Sequence, residues 1–234
     1  MTGRQLSPAF RYDQAAVLAD IITGHVRERG ARTLLDIGAG SGEVAIPVSR
    51  CVRRYVAVEQ CPSSAALLHD AGLDVVAATF PVAIGERFEL VVSSHSIPEG
   101  GAAKYPPFLA AAWERVMPGG LLLIVTFKGP GDPAIPRLAE ELLGRANGTD
   151  ARYTLMLQIL ETFGVVTVGT RNSYVETDDF ADVAAFFGGW FWSTDEQQRR
   201  YLPQLRAAVD RRFLTAGSYR IPTQHFVIAT EKAR

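Results

Sequence analysis

A short apolar run that ends in an acid and then breaks into three alternate glycines constrains this chain more than any other feature. Residues 33–38, Thr-Leu-Leu-Asp-Ile-Gly, read as a buried strand. Gly38, Gly40 and Gly42 then form a turn whose backbone a ligand can approach closely. A phosphate-binding loop would need a lysine followed by serine or threonine after the glycines, and none is present here. A dinucleotide turn would need a third glycine where Glu43 stands, and a carboxylate at that helix start would repel a pyrophosphate. What remains is Asp36-x-Gly38-x-Gly40-x-Gly42, with a second acid, Glu59, at the end of the next strand.

The rest of the chain sets that turn in a repeating context. Short apolar runs at 55–59, 73–78, 87–94 and 119–127 read as strands, and amphipathic stretches at 43–52, 62–72 and 106–117 read as helices between them. Pro47 lies inside the first of these helices, so a kink or a displaced start is expected. Strands and helices alternating at this spacing predict βαβ units and a parallel sheet. Helices are expected at about 134–145 and 152–163, and two long strands at 165–177 and 219–232 that pair antiparallel at one edge. No linker or repeat divides the sequence, so one domain over 1–234 is expected, with an N-terminal helix and cap over 1–30 and a helical lid insertion over 176–217.

Composition excludes several classes. A net charge of −1 argues against nucleic acid as the main partner and leaves room for a local basic patch. The two cysteines are too few for a disulfide framework and lack metal-ligand spacing, so no metal is expected. The longest apolar run, 119–127, is about half a membrane span, and the N-terminus has no signal-peptide core. A cytoplasmic protein with neither membrane nor nucleic-acid partner is expected. A monomer, a homodimer and a heteromer are all compatible with the sequence.

The acid–glycine turn, the acid after the second strand and the βαβ order together resemble the class I S-adenosylmethionine-dependent methyltransferases. The resemblance covers roughly residues 10–130. It implies a Rossmann-like α/β fold: a mostly parallel seven-stranded sheet with an antiparallel edge strand, and the helical lid near the C-terminus. It also implies S-adenosyl-L-methionine as cofactor and S-adenosyl-L-homocysteine as product. On this resemblance Asp36 helps to bind the cationic end of the cofactor, Gly38 and Gly40 admit it to the backbone, and Glu59 accepts the ribose hydroxyls. Thr79 and Phe80, after the third strand, would meet the adenine, where the family often has an acid and this chain has none. Ser93 and Ser94 would run along the methionine end, and Tyr12 would fold over the cofactor from the N-terminal segment. In layout alone the chain also looks like small-amine enzymes of the histamine N-methyltransferase type.

Methyl transfer requires alignment and exclusion of water more than strong acid–base groups. His95 ends a strand at the carboxyl edge, where ligands of such sheets bind, and is the candidate base, with a loop-holding histidine as the alternative. Glu99 is a candidate for binding or deprotonating an amine, with a solvated loop acid as the alternative. His25, His69 and His225 read as surface or packing residues. The aromatic run 186–192, including Trp190 and Trp192, suggests a substrate-pocket lid, with core packing and a subunit interface as the alternatives. Residues 93–96 read Ser-Ser-His-Ser, not the N/D-P-P-Y/F/W motif of base and glutamine methylation. No acid set lies after the fifth strand for a catechol-type metal. The expected function is methyl transfer to an O, N or C atom of a small molecule in specialised biosynthesis. The alternative is a methyltransferase-like protein that catalyses elimination or cyclisation, or that serves as a subunit of a heteromeric enzyme.

Overall fold

The seven strands expected from the apolar runs all form, and a helix separates each successive pair of the parallel ones except Asp74–Ala77 and Phe88–Ser94, which an irregular segment joins. The computed structural model describes residues 6–98, 101–127, 134–144, 149–191 and 194–234. In chain order the first elements are β1 (Arg11–Tyr12), α1 (Gln14–Arg29), β2 (Thr33–Ile37), α2 (Ala45–Ser49), β3 (Arg54–Glu59) and α3 (Pro62–Asp70). Next come β4 (Asp74–Ala77), β5 (Phe88–Ser94), α4 (Tyr105–Glu114), β6 (Val116–Thr126), α5 (Ala134–Leu143) and α6 (Thr149–Glu161). The chain ends with β7 (Val166–Thr177), α7 (Phe180–Phe191), α8 (Asp195–Phe213), β8 (Leu214–Thr215) and β9 (Ser218–Glu231). Helix α2 is shorter than its amphipathic pattern. It starts at Ala45, so Pro47 falls in the first turn, where its missing N–H has no helical acceptor to lose. Among the described residues no helix is long and apolar enough to cross a membrane.

Two compact units result. The larger comprises Ala15–Pro130, Thr149–Arg171 and His225–Arg234. Its strand order is β7-β9-β6-β5-β2-β3-β4. Strand β2 is parallel to both β3 and β5, and β3–β4 and β5–β6 are parallel as well. The order therefore reverses at β2, and the crevice beyond the carboxyl ends of β2 and β5 is the topological switch point where open sheets of this kind bind ligands. Strand β9 runs antiparallel to β6, with Thr126 opposite Phe226. The two last long strands are neighbours, as expected, but the antiparallel β9 is the inner one. Its buried Phe226, Ile228 and Ala229 gain neighbours on both sides there.

The two-residue period of the strands divides the core of this unit. Leu35, Ile37, Val56, Val58, Leu122 and Ile124 join Phe108 and Leu109 of α4 and Met156 and Leu160 of α6 in one cluster. Leu34, Ala57, Leu90, Leu121, Leu123 and Val125 join Leu18, Ile22 and Val26 of α1 and Leu68 of α3 in another. Strands apolar on both faces, as β6 is, belong in a sheet with cover on each side. Each fully buried leucine contributes about 1.5–3 kcal/mol to that arrangement.

The smaller unit comprises Met1–Gln14, Gly131–Gly148 and Asn172–Gln224. Strand β1 pairs antiparallel with β7, Tyr12 opposite Val175, and β8 pairs with β9, which brings the strands to nine among the described residues. Helices α7 and α8 fall within the expected insertion at 176–217 and contribute Val183, Phe187, Leu205 and Val209 to a separate core with Leu138, Val175 and Ile221. The buried Asp182 carboxylate accepts hydrogen bonds from Ser7 N (3.1 Å), Ser7 Oγ (2.5 Å) and Thr177 Oγ1 (2.8 Å), which pins the N-terminal segment.

Close backbone packing makes Gly120 of the larger unit costly to replace. A Cβ on Gly120 would lie 2.8 Å from the Glu89 carbonyl oxygen and 2.9 Å from that of Met117, whereas a Cβ on Gly85 would meet nothing within 4 Å. Gly120→Ala is expected to lower stability by about 1–3 kcal/mol, and Gly85→Ala to leave it unchanged or raise it by about 0.5 kcal/mol. Urea unfolding midpoints of the two variants check this contrast.

Candidate functional site

At the carboxyl end of β2 the chain turns through Gly38, Gly40 and Gly42, with φ of +78°, +65° and +101°. These left-handed conformations are strained for any residue with a Cβ. The three glycines do different things. A Cβ on Gly38 would strike Ser96 Cβ at 2.3 Å, so this glycine lets two loops touch. A Cβ on Gly42 would meet Ile46 and Leu68, so it serves helix packing. A Cβ on Gly40 would meet nothing within 4 Å: its Cα faces open space.

The turn is fastened to β3. The backbone N–H groups of Gly38 and Ala39 donate to the Val58 carbonyl at 2.7 and 3.2 Å. Glu59 holds the turn at two further points: its Oε2 accepts from Gly40 N at 2.8 Å and its Oε1 from Cys61 N at 2.7 Å. One buried carboxylate thus joins the turns after β2 and β3. Cys61 is exposed, and hydrogen bonds from Ser63 and then Ser64 lower its thiol pKa to about 7.

Asp36 lies beneath the turn, buried, with its Oδ2 accepting from Tyr55 Oη at 2.5 Å. Burial raises its pKa to about 6, the Tyr55 bond opposes that rise, and the charge of Glu59 adds to it. Burial and the adjacent carboxylate push the Tyr55 phenol well above its ordinary value. Asp36 therefore meets a phenol in this structure, a partner not anticipated from the sequence.

The loop after β5 faces the glycine turn. Ser93 is buried, its Oγ 2.8 Å from Ser96 Oγ, and Ser96 Oγ donates to the Ile37 carbonyl. Ser94 Oγ is buried without a hydrogen-bond partner among the described residues. His95 has φ +53°, unusual for a residue with a side chain, while its N–H continues the ladder to the Val125 carbonyl at 2.8 Å. Its ring stacks on Phe127 with centroids 3.8 Å apart, and its Nε2 lies 3.0 Å from Nδ1 of the fully buried His225. Burial, then the charge of His225, lowers the His95 pKa to about 3, so the ring is neutral at neutral pH.

The other sequence candidates separate. Thr79 is exposed, its Oγ1 donating to Gln60 Oε1 at 3.3 Å, whereas the Phe80 ring is buried edge-to-face against Phe108 and belongs to the core. Tyr12 lies in the smaller unit, edge-to-face with Phe186. Burial raises its phenol pKa against the effect of the Thr223 and Ser173 hydroxyls. Trp190 falls in α7 of that unit, and Glu99 and Trp192 lie outside the described residues. Asp36, Gly38, Gly40, Glu59, Ser93, Ser94 and His95 are all at the carboxyl ends of β2, β3 and β5. Ser96 and Phe127 join them, and Tyr55 reaches Asp36 from the amino end of β3, none of the three having been singled out in the sequence. Strand parity alone could have put Tyr55 on the face of Asp36, since β2 and β3 pair in register with Asp36 opposite Ala57.

No protein-family model and no curated protein sequence matches the chain. Solved structures do resemble it. The YcgJ protein from Bacillus subtilis superposes with a TM-score of 0.63 at 14% identity, covering 94% of this chain and 99% of that one. The N-methyltransferase NodS from Bradyrhizobium japonicum gives 0.53 at 10% identity, covering 95% and 96%. The precorrin-6y C5,15-methyltransferase from Geobacter metallireducens gives 0.52 at 17%, covering 92% and 87%. Identities this low establish a common fold, and two differently acting enzymes share it, so the accepting atom must be argued from the site.

The buried acid beneath the turn has a consequence for stability. A carboxyl whose folded pKa is raised from 3.8 to about 6 holds its proton more tightly in the folded state. Its contribution therefore favours folding below about pH 4 and is lost as pH rises to about 6, on the order of 2–3 kcal/mol. Asp36→Asn keeps an acceptor for Tyr55 and removes this loss, so the variant is expected to gain stability relative to wild type between about pH 4 and pH 7. Chemical denaturation of both proteins across that range measures the difference.

Proposed function

Taking the class I methyltransferase fold as premise, we propose that this chain is an S-adenosylmethionine-dependent methyltransferase acting on a small molecule. The observation that carries the reading is the open Gly40 turn, bonded to the Glu59 carboxylate at the switch point of the sheet. The residues fit the cofactor. Residues 33–49 hold no lysine or arginine, while Asp36 and Glu59 lie under and beside the turn. That charge repels a phosphate and suits a ligand with an ammonium and a sulfonium. Each Glu59 oxygen accepts one backbone N–H and keeps a lone pair for a ribose hydroxyl. Gly40 offers backbone without a side chain, Ser94 Oγ is an orphaned hydroxyl, and Thr79 is an exposed one after β4.

When bound, the cofactor supplies a methyl group already activated on a sulfonium. The chain's own task is to hold the two reactants in line, keep water out and receive a proton where the acceptor loses one. Ser93 and Ser96 keep the β5 loop against the glycine turn, and the neutral His95 ring stands at the end of that loop.

Calorimetric titration tests this reading. S-adenosylmethionine and S-adenosylhomocysteine are expected to bind with dissociation constants of about 1–100 μM. Glu59→Ala is expected to weaken binding by at least about tenfold, since a charge-assisted bidentate contact is lost. Absence of binding at millimolar ligand would overturn the proposal.

A further inference from the structure

We propose that His225 is a positioning residue that holds His95 as a neutral, single-tautomer imidazole whose Nδ1 takes the proton of a hydroxyl acceptor. The inference rests on the methyltransferase reading and narrows it to O-methylation. Three strands clamp the His95 ring. Strand β5 delivers it through a left-handed residue, β6 leads directly into the Phe127 ring that stacks on it, and β9 supplies the His225 nitrogen at 3.0 Å. Phe127 and His225 also face one another, with centroids 5.0 Å apart. A left-handed conformation is unfavourable at a residue with a Cβ. A buried imidazole in place of an apolar side chain adds a desolvation cost. A packing role alone would need neither.

Two tautomeric arrangements satisfy the 3.0 Å contact, and the one in which His95 donates sets the chemistry of its ring. With Nε2–H of His95 donating to Nδ1 of His225, the lone pair of His95 is confined to its Nδ1, which makes no hydrogen bond among the described residues. As the acceptor oxygen gains its methyl group it loses one proton. That proton passes to Nδ1, and the imidazolium formed returns it to solvent.

The surroundings favour oxygen over nitrogen. Burial and His225, the titratable group facing the ring from β9, make His95 a weak base. A methylated amine holds its proton far too strongly for such a base, whereas a methylated hydroxyl becomes an oxonium far more acidic than imidazolium. An amine also arrives as an ammonium that needs a counter-charge. Among the described residues around the ring, Ser93, Ser94, Ser96, Phe127 and His225 offer none, and Asp36 and Glu59 belong to the glycine turn that the proposed function assigns to the cofactor.

Nitrogen-15 NMR of the histidine side chains in the full chain, without ligand, tests the positioning role. Between about pH 4.5 and 8, His95 is expected to stay neutral with Nδ1 as its unprotonated nitrogen. In His225→Phe the two ring shifts should average as both tautomers populate, and in His225→Asn, whose amide oxygen can accept from Nε2–H, one tautomer should return. A titration midpoint for His95 above about 6, a hydrogen on Nδ1, or an unchanged tautomer in His225→Phe overturns the role. Should His225→Phe not fold, the wild-type and His225→Asn spectra still decide it. For acceptor class, methyl-labelled S-adenosylmethionine is incubated with matched alcohols, phenols and amines. Label at oxygen, reduced about 100-fold in His225→Phe and largely restored in His225→Asn, is the expected result. Label at nitrogen, or at neither while S-adenosylmethionine binds, overturns the hydroxyl assignment. Failure to bind S-adenosylmethionine overturns the methyltransferase reading instead.

Discussion

The geometry at the carboxyl edge depends on the glycine turn remaining bonded to β3. Three backbone N–H groups are committed there, those of Gly38 and Ala39 to the Val58 carbonyl and that of Gly40 to Glu59. With these in place the turn is held below its own open face, and Ser96 can lie against Gly38 and donate to Ile37. The β5 loop is thus positioned through the β2 loop, and the β2 loop through β3. A backbone donor left unpaired in such a place would carry the full desolvation penalty of about 1–3 kcal/mol, so the arrangement holds together as one unit.

Electrostatics work in opposite senses at the two ends of this edge. Under the turn sit two carboxylates, one strongly buried and raised in pKa by that burial. At the end of β5 the charge falls away, and a pair of imidazoles packed on a phenylalanine replaces it. Charged groups gain most from one another where water is excluded, and neutral ones lose least there. The division suits a cationic ligand over the turn and an uncharged one beside His95.

The sequence was informative where a local pattern sets a residue's place in the fold. Asp36, the glycines and Glu59 could be read because each sits at a strand end whose apolar run predicts where the strand stops. The helix limits were less legible: Pro47 shortened α2 from within, since a missing N–H is tolerated only in the first turn. Partners brought together by pairing of distant strands could not be read at all. His225 looked like a packing residue because nothing local says that β9 enters beside β6 with its 225–226 step opposite the end of that strand. Phe80 erred the other way: its position after β4 suggested an adenine contact, but an aromatic ring beside Phe108 is better hidden from water.

The glycines show why a motif needs its structure. The sequence presents three equivalent residues, and all three have positive φ. Yet a methyl group added at Gly38 collides with a neighbouring loop and one at Gly42 with a helix and its neighbour, whereas one at Gly40 enters empty space. The first two glycines are therefore explained by contacts within the protein. Gly40 is explained by its positive φ alone, since no atom of the described residues occupies the room that it leaves. Of the three, Gly40 is the one whose open side no described residue of the protein fills.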